Sequence, residues 1–208
     1  MRRTLLVAVV LAMALLTGCA SGDSGEGAAI AVNGSTRWHG THVKHGYHLP
    51  DLQFTDTAGH HVDLADEAST PVTLVFFGYS HCPDICNVVM ANLAAALRGA
   101  TPAVRHDVRV LFVTTDPARD TPDVLREYLD RFDPSFEGLT APVGTVAKAA
   151  RALYVSYEKP DGSRGGNYEV DHGTYTTGFL DGTAKVIWSD TTTVASLRAD
   201  VTRLSRLA

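Results

Sequence analysis

The chain has 208 residues, 45% hydrophobic and 20% charged, with a formal net charge of −5. That length suits one domain plus appendages, at about 100–200 residues per domain, and the composition suits an ordinary globular core. The acidic balance argues against a nucleic-acid binder, which would need a basic patch to neutralise phosphates, so no nucleic-acid partner is expected.

The first segment reads as targeting. Arg2 and Arg3 form a positive start, and Leu5 to Leu16 is an unbroken apolar run of 12 residues. That is too short to span a bilayer, which takes about 20 helical residues. Leu16-Thr17-Gly18-Cys19 follows and resembles a bacterial lipobox, in which the cysteine is acylated and becomes the mature N-terminus. An ordinary signal peptide with a chance cysteine is the alternative; small residues before Cys19 at the end of the apolar run favour the lipobox. The paired arginines fit a twin-arginine route and general secretion alike. Residues 1–18 are thus read as a lipoprotein signal peptide and Cys19 as the lipidation site. Removing them leaves 16 basic against 23 acidic side chains, a balance of −7. Residues 19–45 begin with a Gly-, Ala- and Ser-rich stretch that cannot bury enough surface to repay ordering, and they are read as a flexible tether. The expected location is the extracytoplasmic face of a bacterial cell membrane, held by lipid.

The folded domain is expected over 46–208. Val62 and Leu64, after the turn-prone Asp56-Thr57-Ala58-Gly59, predict a short hairpin. Val72 to Phe77 ("VTLVFF") is a run of β-formers suited to a central strand covered on both faces. Asp84 to Leu97 reads as a helix, with Ile85, Val88, Val89 and Leu93 on one stripe. Val108 to Val113 is a second buried strand, and Thr121-Pro122 caps a helix running to about Arg131. Val143 to Tyr154 is another amphipathic helix, and the pairs Asp161-Gly162 and Gly165-Gly166 mark a loop or hairpin. Tyr175 to Leu180 and Val186 to Trp188 flank Asp181-Gly182, a strong hairpin signal. Val194, Leu197, Val201 and Leu204 give a closing helix. The order β-α-β-α-α-β-β-α, with cysteines after the first central strand, is that of an α/β thioredoxin-like sandwich: a central mixed sheet with flanking helices.

With Cys19 taken by lipid, only Cys82 and Cys86 remain. A staple closing so small a loop removes little unfolded-state entropy, and a domain of this size does not need one. At a strand-to-helix junction the helix N-terminus favours thiolate, the form that attacks disulfides or binds soft metals. Thioredoxin-type redox centres generally use two intervening residues, and this pair has three. In that fold a cis-proline faces the cysteines at a position near Thr174, yet the last proline here is Pro160, and His172 lies close by instead. Two thiolates and an imidazole make a soft three-coordinate set suited to Cu(I). Each residue also has a bland reading: Cys86 as a small buried apolar group, His172 as a satisfied loop histidine. Zinc fits less well, since a structural zinc site wants four protein ligands.

The stretches "FFGYSHCPDIC", "VTTDPARDTPDVLREYLDRFDPSFEGLT" and "YEVDHGTY" resemble the Sco/SenC family of copper-binding, thioredoxin-like, membrane-anchored proteins. The resemblance carries that family's ligands onto Cys82, Cys86 and His172. It implies a copper chaperone serving the binuclear copper site of cytochrome c oxidase subunit II, fed by an upstream extracytoplasmic copper donor. A thiol-disulfide reductase using Cys82 and Cys86 as a redox-active pair is the alternative, and a copper or redox sensor is a third reading. Asn87 stands where family members often have proline, which touches the helix start and not the ligands. Asp116, Arg119 and Asp120 are assigned to turn chemistry and helix capping and not to the site; a partner surface is their other reading.

One stretch lies outside the family motifs. "WHGTHVKHGYH" places His39, His42, His45 and His48 every third residue, the period of polyproline II. Short histidine-rich tracts bind metal, so an auxiliary copper site that loads or buffers the main one is the functional expectation; a polar linker is the bland one.

Overall fold

A computed structural model describes residues 38–158 and 168–208. The residues read as a signal peptide, Cys19, the expected tether as far as residue 37 and the pairs Asp161-Gly162 and Gly165-Gly166 lie outside the described residues. In chain order the elements are β1 Thr41–His42, β2 Gln53–Asp56, β3 His61–Asp63, a 3-10 turn at Asp66–Ala68, β4 Val72–Gly78, α1 Ile85–Arg98, α2 Pro102–Asp107, β5 Val108–Thr114 and α3 Pro122–Asp130. They continue with β6 Glu137–Thr140, α4 Val143–Ala152, β7 Tyr157–Glu158, β8 Asp171–His172, β9 Thr176–Leu180, β10 Thr183–Trp188 and α5 Val194–Leu207.

β4 is central because every one of its residues is apolar or small enough to bury. Val72, Leu74 and Phe76 feed one core and Val75 and Phe77 the other, as the two-residue period of a strand requires. Eight strands form one mixed sheet in the order β1-β10-β9-β4-β5-β6-β2-β3. β4, β5 and β6 run parallel, and the other pairings are antiparallel. α1, α2, α3 and α5 bury their apolar faces in one core, and α4 in the other. The thioredoxin-like α/β sandwich expected from the sequence is the fold observed. β9 and β10 turn through Asp181 at φ 47° and Gly182 at φ 71°, the left-handed pair that a tight hairpin demands.

The boundary at residue 46 needs correction. Thr41 and His42 pair with Ile187 and Val186, so the sheet takes in residues assigned to the tether. Buried Asp200 explains why: it accepts the N–H groups of His39 and Gly40 at 2.9 Å and the indole N–H of Trp188 at 2.9 Å. The domain therefore starts by Trp38.

Candidate metal centre

The centre forms where β4 hands over to α1. Cys82 N–H donates to the Tyr79 carbonyl at 3.1 Å, closing a turn that brings the sulfur back over the helix start. The N-cap residue Asp84 makes no side-chain cap. Its task falls to Cys82 Sγ, which accepts the N–H of Cys86 at 3.4 Å. Cys86 sits one position into α1 and is fully buried. Gly78 makes room for it, since a Cβ there would stand 3.1 Å from Cys86 Sγ and closer still to the Phe76 ring. Asn87 Nδ2 reaches the Cys82 carbonyl at 3.5 Å.

His172 comes from β8, which pairs Tyr157 with His172. Its Nε2 lies 3.5 Å from Cys86 Sγ and its Nδ1 3.0 Å from the Gly173 carbonyl. Tyr79 and Phe76 meet the imidazole edge-on, at centroid distances of 5.8 and 6.1 Å. The donor atoms of Cys82, Cys86 and His172 all lie within 4.8 Å of one another, and among the described residues this is the one such group of three or more. The sequence predicted these three, and the fold brings all three together.

The two thiols are unequal. Cys82 is pulled down to about 4, chiefly by the hydrogen bond from the Cys86 thiol, and further by His172 and the backbone N–H groups of Cys86 and Asp84; burial works against the shift. Cys86 is pushed up by that same bond and by its burial. The pair therefore shares one proton, with the charge on Cys82 at the helix start.

Sequence reasoning missed the support behind the loop. Asp120 is fully buried and accepts from Ser80 N–H at 3.0 Å, the Ser80 hydroxyl at 2.5 Å and the Thr114 hydroxyl at 2.6 Å. Desolvation pushes its carboxyl above the usual range. Arg119 pairs with buried Asp116, donates to the Tyr168 carbonyl at 3.0 Å and stacks 3.7 Å from the Tyr168 ring centroid. The Tyr168 hydroxyl returns to Asp116 at 2.6 Å. These residues fasten the cysteine loop and the segment leading to His172 onto the end of β5. Both carboxylates, Asp116 and Asp120, are fully buried.

The histidine tract is not brought together. His42 lies in β1 with its ring stacked 6.2 Å from Trp38, and His48 faces the Gly182 carbonyl at 3.3 Å. His39, His42, His45 and His48 enter no three-ligand cluster among the described residues. Strand pairing with β10 replaces the expected polyproline II alignment.

A thioredoxin-like sandwich with a Cys-Cys-His cluster at the end of its central strand defines the class. The SCO1/SenC family pattern matches residues 43–204, and the chain belongs to that family. It is 38% identical over 104 residues to "Protein SCO1, mitochondrial" of Saccharomyces cerevisiae, covering 50% of this chain and 35% of that protein. It is 39% identical over 126 residues to "Protein SenC" of Rhodobacter capsulatus, covering 54% and 52% respectively. The chain thus spans between 30% and 61% of the length of the curated relatives it matches. Among solved structures, Bradyrhizobium japonicum ScoI with copper bound superposes with a TM-score of 0.63 at 32% identity, over 74% of this chain and 96% of that one. No helix among the described residues is long and apolar enough to cross a membrane.

Proposed function

We propose that the protein is a lipid-anchored, extracytoplasmic copper chaperone whose cargo is held by Cys82, Cys86 and His172. The observation that carries this reading is the convergence of two sulfurs and one imidazole within 4.8 Å, a soft donor set suited to copper. His172 is oriented for the task. Its Nδ1 faces the Gly173 carbonyl, which only accepts, so a proton held there leaves Nε2 as the nitrogen that turns to the sulfurs and can ligate a metal. Cys82 meets the metal already as thiolate. Copper leaves by ligand exchange, the recipient's donors replacing the three ligands in turn. Family membership supports the rest: the recipient is the binuclear copper site of cytochrome c oxidase subunit II, an upstream extracytoplasmic protein supplies the metal, and Cys19 bears the lipid.

The test is anaerobic Cu(I) titration of the reduced protein, then mixing with an apo copper-recipient domain. One tightly bound copper that moves to the recipient is expected. Equal affinity of the oxidised and reduced forms overturns the reading, because a disulfide has no thiolate to give.

The unequal thiols favour a second reading. The Cys82 thiolate attacks a disulfide of the recipient, forming a mixed disulfide and releasing one recipient thiolate. Cys86 then gives its proton to that released thiolate and displaces the second, leaving Cys82–Cys86 oxidised and the recipient reduced by two electrons. Oxidation of the dithiol on mixing, with no metal moved, selects this reductase.

A further inference from the structure

The charge is distributed unevenly over the fold. α1, α2 and α5 pack together and carry Arg98, Arg105, Arg198, Arg203 and Arg206, against only two acids, Asp107 and Asp200. Asp200 is buried beneath Trp188 and adds nothing to the surface. In a chain with 23 acidic and 18 basic side chains, this is a concentrated positive face. Among the described residues no ion pair joins any of these five arginines to a carboxylate. Arg98 and Arg105 donate to the backbone carbonyls of Phe132 and Arg98, which leave their charge intact. Arg198 reaches across from α5 to lie against Gly99 at the end of α1.

The N-terminal part of the chain enters the domain at this same face. The Arg203 guanidinium sits 5.2 Å from the Trp38 ring centroid, and Asp200 of α5 holds His39 and Gly40. Whatever their conformation, residues 20–37 reach at most about 65 Å from Cys19 to Trp38.

We propose that the α1–α2–α5 face docks on anionic phospholipid headgroups. The choice of a lipid surface as occupant rests on the anchored reading, which places a bilayer within that reach. Docked there, the centre points outward. Cys86 and Arg98 lie near opposite ends of α1, about 18 Å apart along its axis at about 1.5 Å per residue.

The experiment uses the chain from residue 19 onward with Cys19→Ser, so that no acyl group contributes and the outcome does not depend on whether Cys19 is acylated in the cell. It is co-sedimented with phosphatidylcholine vesicles with and without phosphatidylglycerol. Binding is expected only with phosphatidylglycerol, and it should vanish near about 1 M salt, where the screening length is about 3 Å. Each of Arg98→Gln, Arg105→Gln, Arg198→Gln and Arg206→Gln should lose about fivefold, and the four together at least about a hundredfold. Lys148→Gln with Arg151→Gln on α4, across the sheet, should bind as the parent does. If the fourfold variant melts early, the single variants carry the measurement. Equal binding to both vesicle types, no binding to either, or undiminished binding of the arginine variants overturns the proposal. Capture by a soluble polyanion without vesicle binding overturns it as well.

Discussion

At the scale of single residues, the centre was legible because its chemistry uses rare residue types at a diagnostic junction. Two cysteines remained once Cys19 was set aside, and His172 was found by counting along the fold. Asp120 was not legible, since an aspartate before Thr-Pro looks like any turn or cap until its burial is seen. Asp120→Ala strips the acceptor from three buried donors and should cost about 2–3 kcal/mol in urea unfolding. Asp120→Asn keeps one acceptor oxygen and should lose less. Because burial raises this carboxyl in the fold, its contribution is fully present below the unfolded value and is lost as pH rises through the folded one; the Asn variant should lack that dependence. Cys82 runs the other way. Its folded value near 4 lies below the unfolded one, so its thiolate adds stability that is complete above the unfolded value and lost as pH falls toward 4. Iodoacetamide should accordingly modify Cys82 alone at about pH 6, well below the free thiol value of about 8.5. A single titration near that free value would refute the unequal pair. His172→Ala should alter the Cu(II) charge-transfer band and leave two-thiolate Cu(I) binding; an unchanged spectrum would remove His172 from the site.

At the scale of elements, long patterned segments were readable and short ones were not. β4, β5, α1, α3, α4, the β9–β10 hairpin and α5 lie where their periodicity put them. β6 was hidden because Glu137-Gly138-Leu139-Thr140 shows little β-propensity; pairing with β5 and β2 makes it a strand. Its glycine is a spatial requirement, because a Cβ at 138 would stand 3.0 Å from Leu125 Cβ and 2.9 Å from Thr57 Cγ2. Gly138→Ala should push α3 off the sheet and cost about 1–3 kcal/mol, measured by thermal melting. α2 did carry a signal that went unread: Thr101-Pro102 repeats the cap of Thr121-Pro122, and each threonine accepts the N–H three residues on at 3.4 Å. β1 was invisible for another reason. Two residues have no period, and their partner β10 lies about 145 positions away.

At the scale of the whole molecule, the N-terminal segment is joined to the domain by β1–β10 pairing and by Asp200, and sequence patterning could foresee neither. Asp200→Ala leaves the N–H groups of His39, Gly40 and Trp188 without their carboxylate. Amide hydrogen exchange at residues 39–43 should then accelerate, while Cu(I) affinity at the centre stays as in the parent; slow exchange there would mean that strand pairing alone holds the segment. That attachment also settles how the domain bears a pull. A load arriving through Trp38 is taken up in shear by an edge strand and a buried carboxylate. β10 and β9 stand between that edge and β4, a separation of about 14 Å at about 4.8 Å per strand. β4, whose end leads into the cysteine loop, lies well inside that edge, and a domain pulled at Trp38 keeps in place the strand that positions its donor atoms.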